Sequence, residues 1–127
     1  MFSIITDVRQ ALITAQVYGL LLYQARRVQN PISYGVIGDV LQIPHQWGSL
    51  PRALTSLAED DFSHERPILS SIVISAATGM PGQGYWDLVA RLGLIARPVP
   101  DKAFWEDQFA RVISKYEVCI GASPFKD

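Results

Sequence analysis

The sequence predicts a mostly helical α+β fold, with a small β-wing between a long N-terminal helix and a C-terminal helix. Near both ends of the chain, apolar residues recur at steps of three and four, the spacing of amphipathic helices. Two shorter helical patterns lie between them, followed by one β-branched run, Pro67–Ser75, and a glycine-rich loop. We expect a single domain over residues 1–120 and a loose tail over residues 121–127.

The composition is that of an ordinary globular protein. The 127 residues are 49% hydrophobic and 18% charged, with a net charge of −1 at pH 7, which excludes a strongly cationic nucleic-acid binder. The basic residues are unevenly spread, because residues 1–58 carry four arginines against two aspartates. A small basic face is compatible with this distribution.

The sequence shows no sign of export or membrane insertion. Val17–Tyr23, the most apolar stretch, is too short to span a bilayer, and Met1–Asp7 lacks a basic leader pattern. The single cysteine, Cys119, cannot form an internal disulfide and is expected to be a small apolar side chain. We therefore expect a cytoplasmic protein that does not contact membranes.

The terminal helices are predicted from hydrophobic spacing and from their capping residues. The first should end before Asn30-Pro31, and its apolar face should comprise Ile4, Ile5, Val8, Leu12, Ala15, Tyr18, Leu22 and Ala25. Asp101 is predicted to cap the last helix, since an aspartate side chain accepts from first-turn N–H groups. A shorter helix is predicted over Asp87–Leu92.

The middle of the chain predicts a helix-turn-helix. A short helix is expected over Tyr34–Leu41 with Ser33 as its N-cap, and a second helix opens at Ser49, whose hydroxyl can cap it. Proline and glycine residues interrupt the helical pattern between them, which predicts a turn that joins the two helices. The second helix is expected to end near Glu59-Asp60-Asp61, where the local helix propensity is poor.

A β-wing is predicted after the second helix. It consists of the Pro67–Ser75 strand, a reversal over Thr78–Gly84 and a short return before Tyr85-Trp86. Two helices, a strand and a reversal in this order are typical of a winged helix-turn-helix. The predicted module spans Ile32–Trp86.

Ile32–Ile37, Pro51–Leu54 and Pro67–Leu69 resemble three elements of the DNA-binding domain of alkyltransferases and alkyltransferase-like proteins. They are similar to that family's threonine-tyrosine-glycine opening, its recognition helix and the start of its Pro-Ile-Leu-Val-Pro-Cys-His-Arg element. Ser70–Ile74 stands where the family has Pro-Cys-His-Arg, so the nucleophilic cysteine and the tryptophan of the alkyltransferase-like proteins have no match. The resemblance implies a DNA-binding fold without alkyl transfer.

Ile32–Tyr116 also resembles a winged-helix module of uncharacterised bacterial and phage proteins, some of them fused to restriction or defence enzymes. Tyr34-Gly35, Pro67–Ile74, Thr78–Trp86 and Phe104-Trp105-Glu106 carry this resemblance. It implies a regulatory role in a bacterial or phage defence or mobile-element context. Because turn and packing residues carry it, it bears on the fold more than on function.

The candidate DNA contacts lie on the second helix of the module, in the turn before it and in the wing. Arg52 would face a major groove near the start of that helix and pair with guanine or phosphate, or it is simply a solvated surface arginine. The other candidates are Gln46, Trp47, Ser49, Tyr34, Thr78 and Gln83. Ser49 could equally serve only as a cap, and the wing tip has no Lys or Arg.

Two functions remain open, and an enzyme is not expected. The chain binds DNA through Ser49–Leu57, or it docks a partner protein through the wing or the acidic Glu59–Glu65 stretch. No paired carboxylates or nucleophile–base set is apparent, and His45 and His64 lack a second ligand at metal spacing, so no cofactor or metal is expected. A homodimer formed through the first or last helix would double the few phosphate contacts.

Overall fold

The computed structural model describes residues 2–44 and 47–117, and the side chains of residues 7–44 and 47–117. In this part of the chain, the elements are α1 (Phe2–Tyr23) with a π-helical turn (Gln24–Val28), β1 (Ile32–Ser33), α2 (Tyr34–Leu41), α3 (Ser49–Ser63), a 3₁₀ turn (Leu69–Ile72), β2 (Val73–Ile74), α4 (Gln83–Arg91) and α5 (Lys102–Tyr116). The predicted mostly helical α+β class is confirmed. The predicted loose tail and Cys119 lie outside the described residues.

Two predicted helix starts are confirmed together with their caps. The Oγ of Ser33 accepts a hydrogen bond from the backbone N–H of Val36 at 3.3 Å, and α2 has the predicted bounds. At α5, the Oδ1 of Asp101 accepts from the backbone N–H of Phe104 at 3.0 Å. Both caps satisfy a first-turn N–H group that has no partner within the helix.

The start of α3 differs from the prediction. Gly48 occupies the N-cap with a φ of 64°, in the left-handed region that favours glycine. Ser49 is therefore the first helical residue, and its side chain is buried, so its predicted role as the cap is wrong. The carbonyl oxygen of Ser49 accepts a hydrogen bond from the Nε2 of Gln10 at 3.0 Å, which ties the start of α3 to α1.

The buried face of α1 is not the predicted one. The buried side chains are Ile13, Val17, Leu21 and Ala25. Of the predicted face, only Ala25 is fully buried among the described side chains, whereas Val8, Leu12 and Tyr18 are 56%, 61% and 41% exposed. The side chains of Ile4 and Ile5 lie outside the described residues. Apolar residues occur on both sides of α1, so helical spacing alone could not identify the packed side.

The predicted wing does not form an antiparallel hairpin in the described residues. Within Pro67–Ser75, a 3₁₀ turn precedes a two-residue strand, and this strand pairs in parallel with β1, Ile32 opposite Val73. The glycine-rich loop leads directly into α4, which begins at Gln83, four positions before the predicted Asp87. Most of the β-branched run is buried, so its apolar character reflects a core segment rather than a long strand.

Buried side chains form two groups. The larger one joins α1, α2, α3, the 3₁₀ turn, both strands and α5 through Ile13, Val17, Leu21, Ala25, Ile32, Ile37, Ala53, Leu54, Leu69, Ile72, Val73 and Val112. The smaller one lies around α4 and comprises Ala58, Ile68, Tyr85, Trp86, Leu88 and Val89. Of all pairs of elements, α1 and α3 pack together most extensively.

α3 continues to Ser63, beyond its predicted end, and the side chain of Asp61 is held by the segment that follows the helix. The side chain of Asp61 is only 5% exposed, and its Oδ2 accepts from the backbone N–H of Leu69 at 2.9 Å. Its Oδ1 accepts from the Nε of Arg66 at 3.0 Å. These bonds offset the cost of burying a carboxylate and fix the chain reversal after α3.

We expect Asp61→Asn to lower the free energy of unfolding by about 2–3 kcal/mol. The amide replaces one acceptor oxygen with a donor, which must face either the Leu69 N–H or the Arg66 guanidinium. Asp60→Asn is the matched control, since Asp60 also contacts Arg66 but its side chain is 59% exposed, and its loss should be much smaller. Urea unfolding at neutral pH measures both, and equal losses would contradict a structural role for Asp61.

Candidate nucleic-acid interface at the start of α3

Two arginines and a tryptophan meet at the start of α3. The guanidinium carbon of Arg9 lies 5.4 Å from the ring centroid of Trp47, within the range of a cation–π interaction. The Nη2 of Arg52 donates a hydrogen bond to the carbonyl oxygen of Trp47 at 3.0 Å. All three residues are exposed. We call Arg9, Trp47 and Arg52 the arginine–tryptophan cluster.

The packing of α1 on α3 positions this cluster. Arg9 directly precedes Gln10, whose side-chain amide is bonded to the carbonyl of Ser49. The left-handed Gly48 connects Trp47 to α3, and Arg52 reaches back across this turn. Arg9 was not among the candidate contacts, since only the tertiary fold brings it to the turn before α3.

The candidate contacts around this turn have different environments. Trp47 and Arg52 lie together on the surface, as a DNA contact requires. Ser49 is buried and leaves almost no side-chain surface for DNA. Gln46, like its neighbour His45, lies outside the described residues.

Tyr34, Thr78 and Gln83 make hydrogen bonds within the protein instead of forming a wing surface. The Oη of Tyr34 accepts from the backbone N–H of Gly82 at 3.0 Å, which ties α2 to the loop before α4. The Oγ1 of Thr78 bonds with the backbone of the exposed turn that contains it. Gln83 is the first residue of α4, and its Nε2 donates to the Oδ1 of Asp87 at 2.9 Å. In the described part of the chain, no hydrogen bond joins these three side chains to the arginine–tryptophan cluster.

Acidic residues in the second half of α3 are paired with arginines. The Oε2 of Glu59 accepts from the Nη1 of Arg91 at 3.1 Å, and both Asp60 and Asp61 accept from the guanidinium of Arg66. The sequence alone leaves three roles open for this acidic stretch: it repels DNA, binds a basic partner or, most commonly, is simply solvated. The ion pairs reduce its net negative charge and weaken the first two expectations.

A cavity of about 210 Å³ opens beside the start of α3. Its walls are formed by Tyr34, Pro51, Leu54, Thr55, Ser70, Gly82, Gly84, Tyr85 and Leu88. The lining is mostly apolar with a few hydroxyl groups, and none of the described residues that form it is His, Cys, Asp, Glu or Lys. The cavity therefore offers shape and hydroxyl hydrogen bonds rather than acid–base chemistry. The cavity could not be predicted from the sequence, because its uncharged lining comes from separate segments.

Two tyrosines on the cavity wall are held in their neutral form. The Oη of Tyr85 and the Oγ of Ser71 are 2.7 Å apart and hydrogen-bonded. Burial raises the pKa of Tyr85 to about 12, and the hydrogen bond with Ser71 offsets part of this effect. Burial also raises the pKa of Tyr34, while its bond from Gly82 lowers it in part. Neither phenol can act as a general base near neutral pH.

Neither a metal centre nor a membrane-spanning helix is present in the part of the chain that the structure describes. Across residues 2–44 and 47–117, no three His, Cys, Asp or Glu side chains gather where they could hold a metal ion. Over the same residues, no helix combines the length and apolar character needed to cross a membrane. In comparisons with known proteins, no family model, curated protein or solved structure matches the chain. The proposed function therefore rests on the geometry around the start of α3.

We expect the free energy of unfolding to fall as the pH rises above about 10. In the unfolded chain, tyrosine loses its proton near pH 10, whereas folded Tyr85 keeps its proton until the pH reaches about 12. The unfolded state then binds fewer protons than the folded state, so stability present below pH 10 is lost as pH rises through the folded pKa.

Urea unfolding of the wild type and of Tyr85→Phe at several values between about pH 8 and about pH 11 tests this expectation. The variant lacks the hydrogen bond with Ser71 and should be less stable by about 1 kcal/mol at the lower pH. It also lacks the buried phenol, so it should lose less stability across the alkaline range. Identical pH dependences in the two proteins would contradict the assignment to Tyr85.

Proposed function

We propose that this chain is a non-enzymatic DNA-binding protein of the helix-turn-helix type that contacts duplex DNA through the start of α3. The observation that carries the proposal is the convergence of Arg9, Trp47 and Arg52 on one exposed surface. In helix-turn-helix proteins, residues near the N-terminal end of the second helix reach the base edges in the major groove. Here α2 and α3 supply the helix-turn-helix, and residues 67–82 follow it in the wing's place without forming a hairpin.

The charges around the arginine–tryptophan cluster favour a weak interaction with phosphates. Arg9 and Arg52 make no ion pair with another described residue, whereas Glu59 at the far end of α3 is paired with Arg91. The exposed ring of Trp47 adds apolar surface that can contact a sugar of the DNA backbone. Because two arginines neutralise only about two phosphates, we expect a dissociation constant of roughly 10–100 μM for a single copy.

The resemblance to the DNA-binding domain of alkyltransferase-like proteins supports the same proposal. Arg52 belongs to the segment that resembles the recognition helix, and it is exposed. The segment in place of Pro-Cys-His-Arg contributes Ser70 to the cavity wall, with no thiol or histidine beside it among the described residues. Alkyl transfer is therefore not part of the proposed function. The resemblance to phage and bacterial modules suggests a regulatory role in defence or mobile elements.

A protein-interaction module is the second candidate function. Docking through the acidic stretch would depend on its negative charge, which is partly offset because Glu59 is paired with Arg91 and both Asp60 and Asp61 are paired with Arg66. Docking through a wing would require a projecting hairpin, which the described residues do not form. We therefore rank DNA binding first.

Fluorescence anisotropy with a labelled duplex, at about 20 mM and about 150 mM salt, tests the proposed function. We expect binding at the lower salt that weakens as salt rises, because binding releases counterions from the phosphates. Arg52→Gln removes the charge and replaces the guanidinium with a neutral side-chain amide that still donates hydrogen bonds. It should weaken binding about tenfold and reduce the salt slope by about one.

Arg97→Gln is the matched control, because Arg97 is an exposed arginine in the linker between α4 and α5. This variant should bind like the wild type. Arg9→Gln should weaken binding as Arg52→Gln does, because both residues belong to the arginine–tryptophan cluster. Absence of binding even at the lower salt would refute the proposal, and so would equal losses for Arg97→Gln and Arg52→Gln.

A further inference from the structure

A second apolar stripe runs along α1, on the side opposite to the core. Val8, Leu12, Ala15, Gly19 and Leu22 follow one another at alternating steps of four and three residues, which places them on one face of the helix. Val8 and Leu12 are 56% and 61% exposed, and Ala15 and Gly19 are exposed as well, whereas Leu22 at the end of the stripe is half-buried against the larger buried group. We call these five residues the outer stripe. The buried side of the same helix carries Ile13, Val17 and Leu21.

A helix that is apolar on both sides normally has both sides covered. The outer stripe extends over Val8–Leu22, about 21 Å at 1.5 Å per residue. The exposed side chains of Tyr18 and Tyr23 flank it and widen the apolar surface. A contiguous apolar surface of this kind is typical of an interaction site rather than of a solvated face.

We propose that the outer stripe pairs two copies of this chain, with α1 packed antiparallel to α1 about a twofold axis. Charges at the two ends of α1 favour a second copy of the chain as the partner and an antiparallel arrangement of the two helices. Asp7 lies at the N-terminal end of the stripe, and Arg26 and Arg27 lie in the π-helical turn at its C-terminal end. All three are exposed. Antiparallel pairing brings each Asp7 to the end of the partner helix that carries the partner's Arg26 and Arg27, whereas parallel pairing would bring four arginines together.

The distribution of side-chain size along the stripe suits a twofold contact. Ala15 lies at the midpoint of the stripe, and the small Gly19 lies in its C-terminal half. An isologous interface brings the same surface from both copies together, so Ala15 of one copy faces Ala15 of the other and lets the helices approach closely. One helix from each copy buries less than the roughly 1,600 Å² of a standard interface. We therefore expect a weak dimer with a dissociation constant on the order of 10 μM.

Sedimentation velocity of the full chain without DNA, from about 1 to about 200 μM, tests the proposal. We expect a concentration-dependent monomer–dimer equilibrium in the wild type. Leu12→Glu should raise the dissociation constant at least about tenfold, because it puts a charge into an apolar contact. Val40→Glu is the matched control, since Val40 on α2 is 59% exposed and lies outside the stripe. Circular dichroism confirms that both variants remain folded.

A charge exchange tests the direction of pairing. Asp7→Arg should raise the dissociation constant several-fold, because the new cation meets the partner's Arg26 and Arg27. Adding Arg26→Asp and Arg27→Asp to this variant should restore wild-type association. Asp39→Arg makes the same change of charge on α2 and should leave association unchanged.

Three results would overturn the proposal. They are a wild type that is monomeric at every concentration, equal weakening by Val40→Glu and Leu12→Glu, and a triple charge exchange that fails to restore association. A monomer would mean that another protein, or a segment of the chain outside the described residues, covers the stripe. Because the measurement contains no DNA, its result is independent of the outcome of the anisotropy experiment.

Discussion

The packing of α1 against α3 is the interaction on which the rest of the structure depends. Ile13, Val17 and Leu21 supply one side of the contact, and fully buried Ala53 on α3 leaves room for the two helices to approach. The hydrogen bond from the side chain of Gln10 to the carbonyl oxygen of Ser49 fixes the position of α1 relative to the start of α3. The position of Arg9 beside the turn before α3 follows from this contact. The proposed DNA surface is therefore built jointly by two helices that are distant in the sequence.

Features that depend on local chemistry could be predicted from the sequence. Ser33 and Asp101 cap their helices because a short polar side chain directly before a helix finds a free N–H within three residues. Ser49 has the same chemistry, yet Gly48 takes its place as the cap because the chain must enter α3 through a left-handed turn. The choice between adjacent residues depended on the path of the backbone, which propensity does not encode.

Features that depend on tertiary contacts could not be predicted. The β-branched character of Pro67–Ser75 indicates burial, but the sequence does not distinguish a buried turn from a strand. At the candidate site, Trp47 and Arg52 were predicted because they lie near a helix start. Arg9 joined them only through the fold, and the neutralisation of Glu59 required Arg91 from another helix. The order of residues in the sequence therefore does not show that arginines from outside α3 lie beside its acidic side chains and offset part of their charge.

The parallel pairing of β1 with β2 limits how this module could be moved between proteins. Ile32, directly before α2, has its backbone partner in Val73, after α3 and the chain reversal. Tyr34 likewise has its partner at Gly82. A graft that ended at Ser63 would keep α2 and α3 but remove the partners that hold the first residues of the segment. The smallest portable unit therefore extends at least from β1 to the start of α4, and recombination within this span would separate mutually dependent pieces.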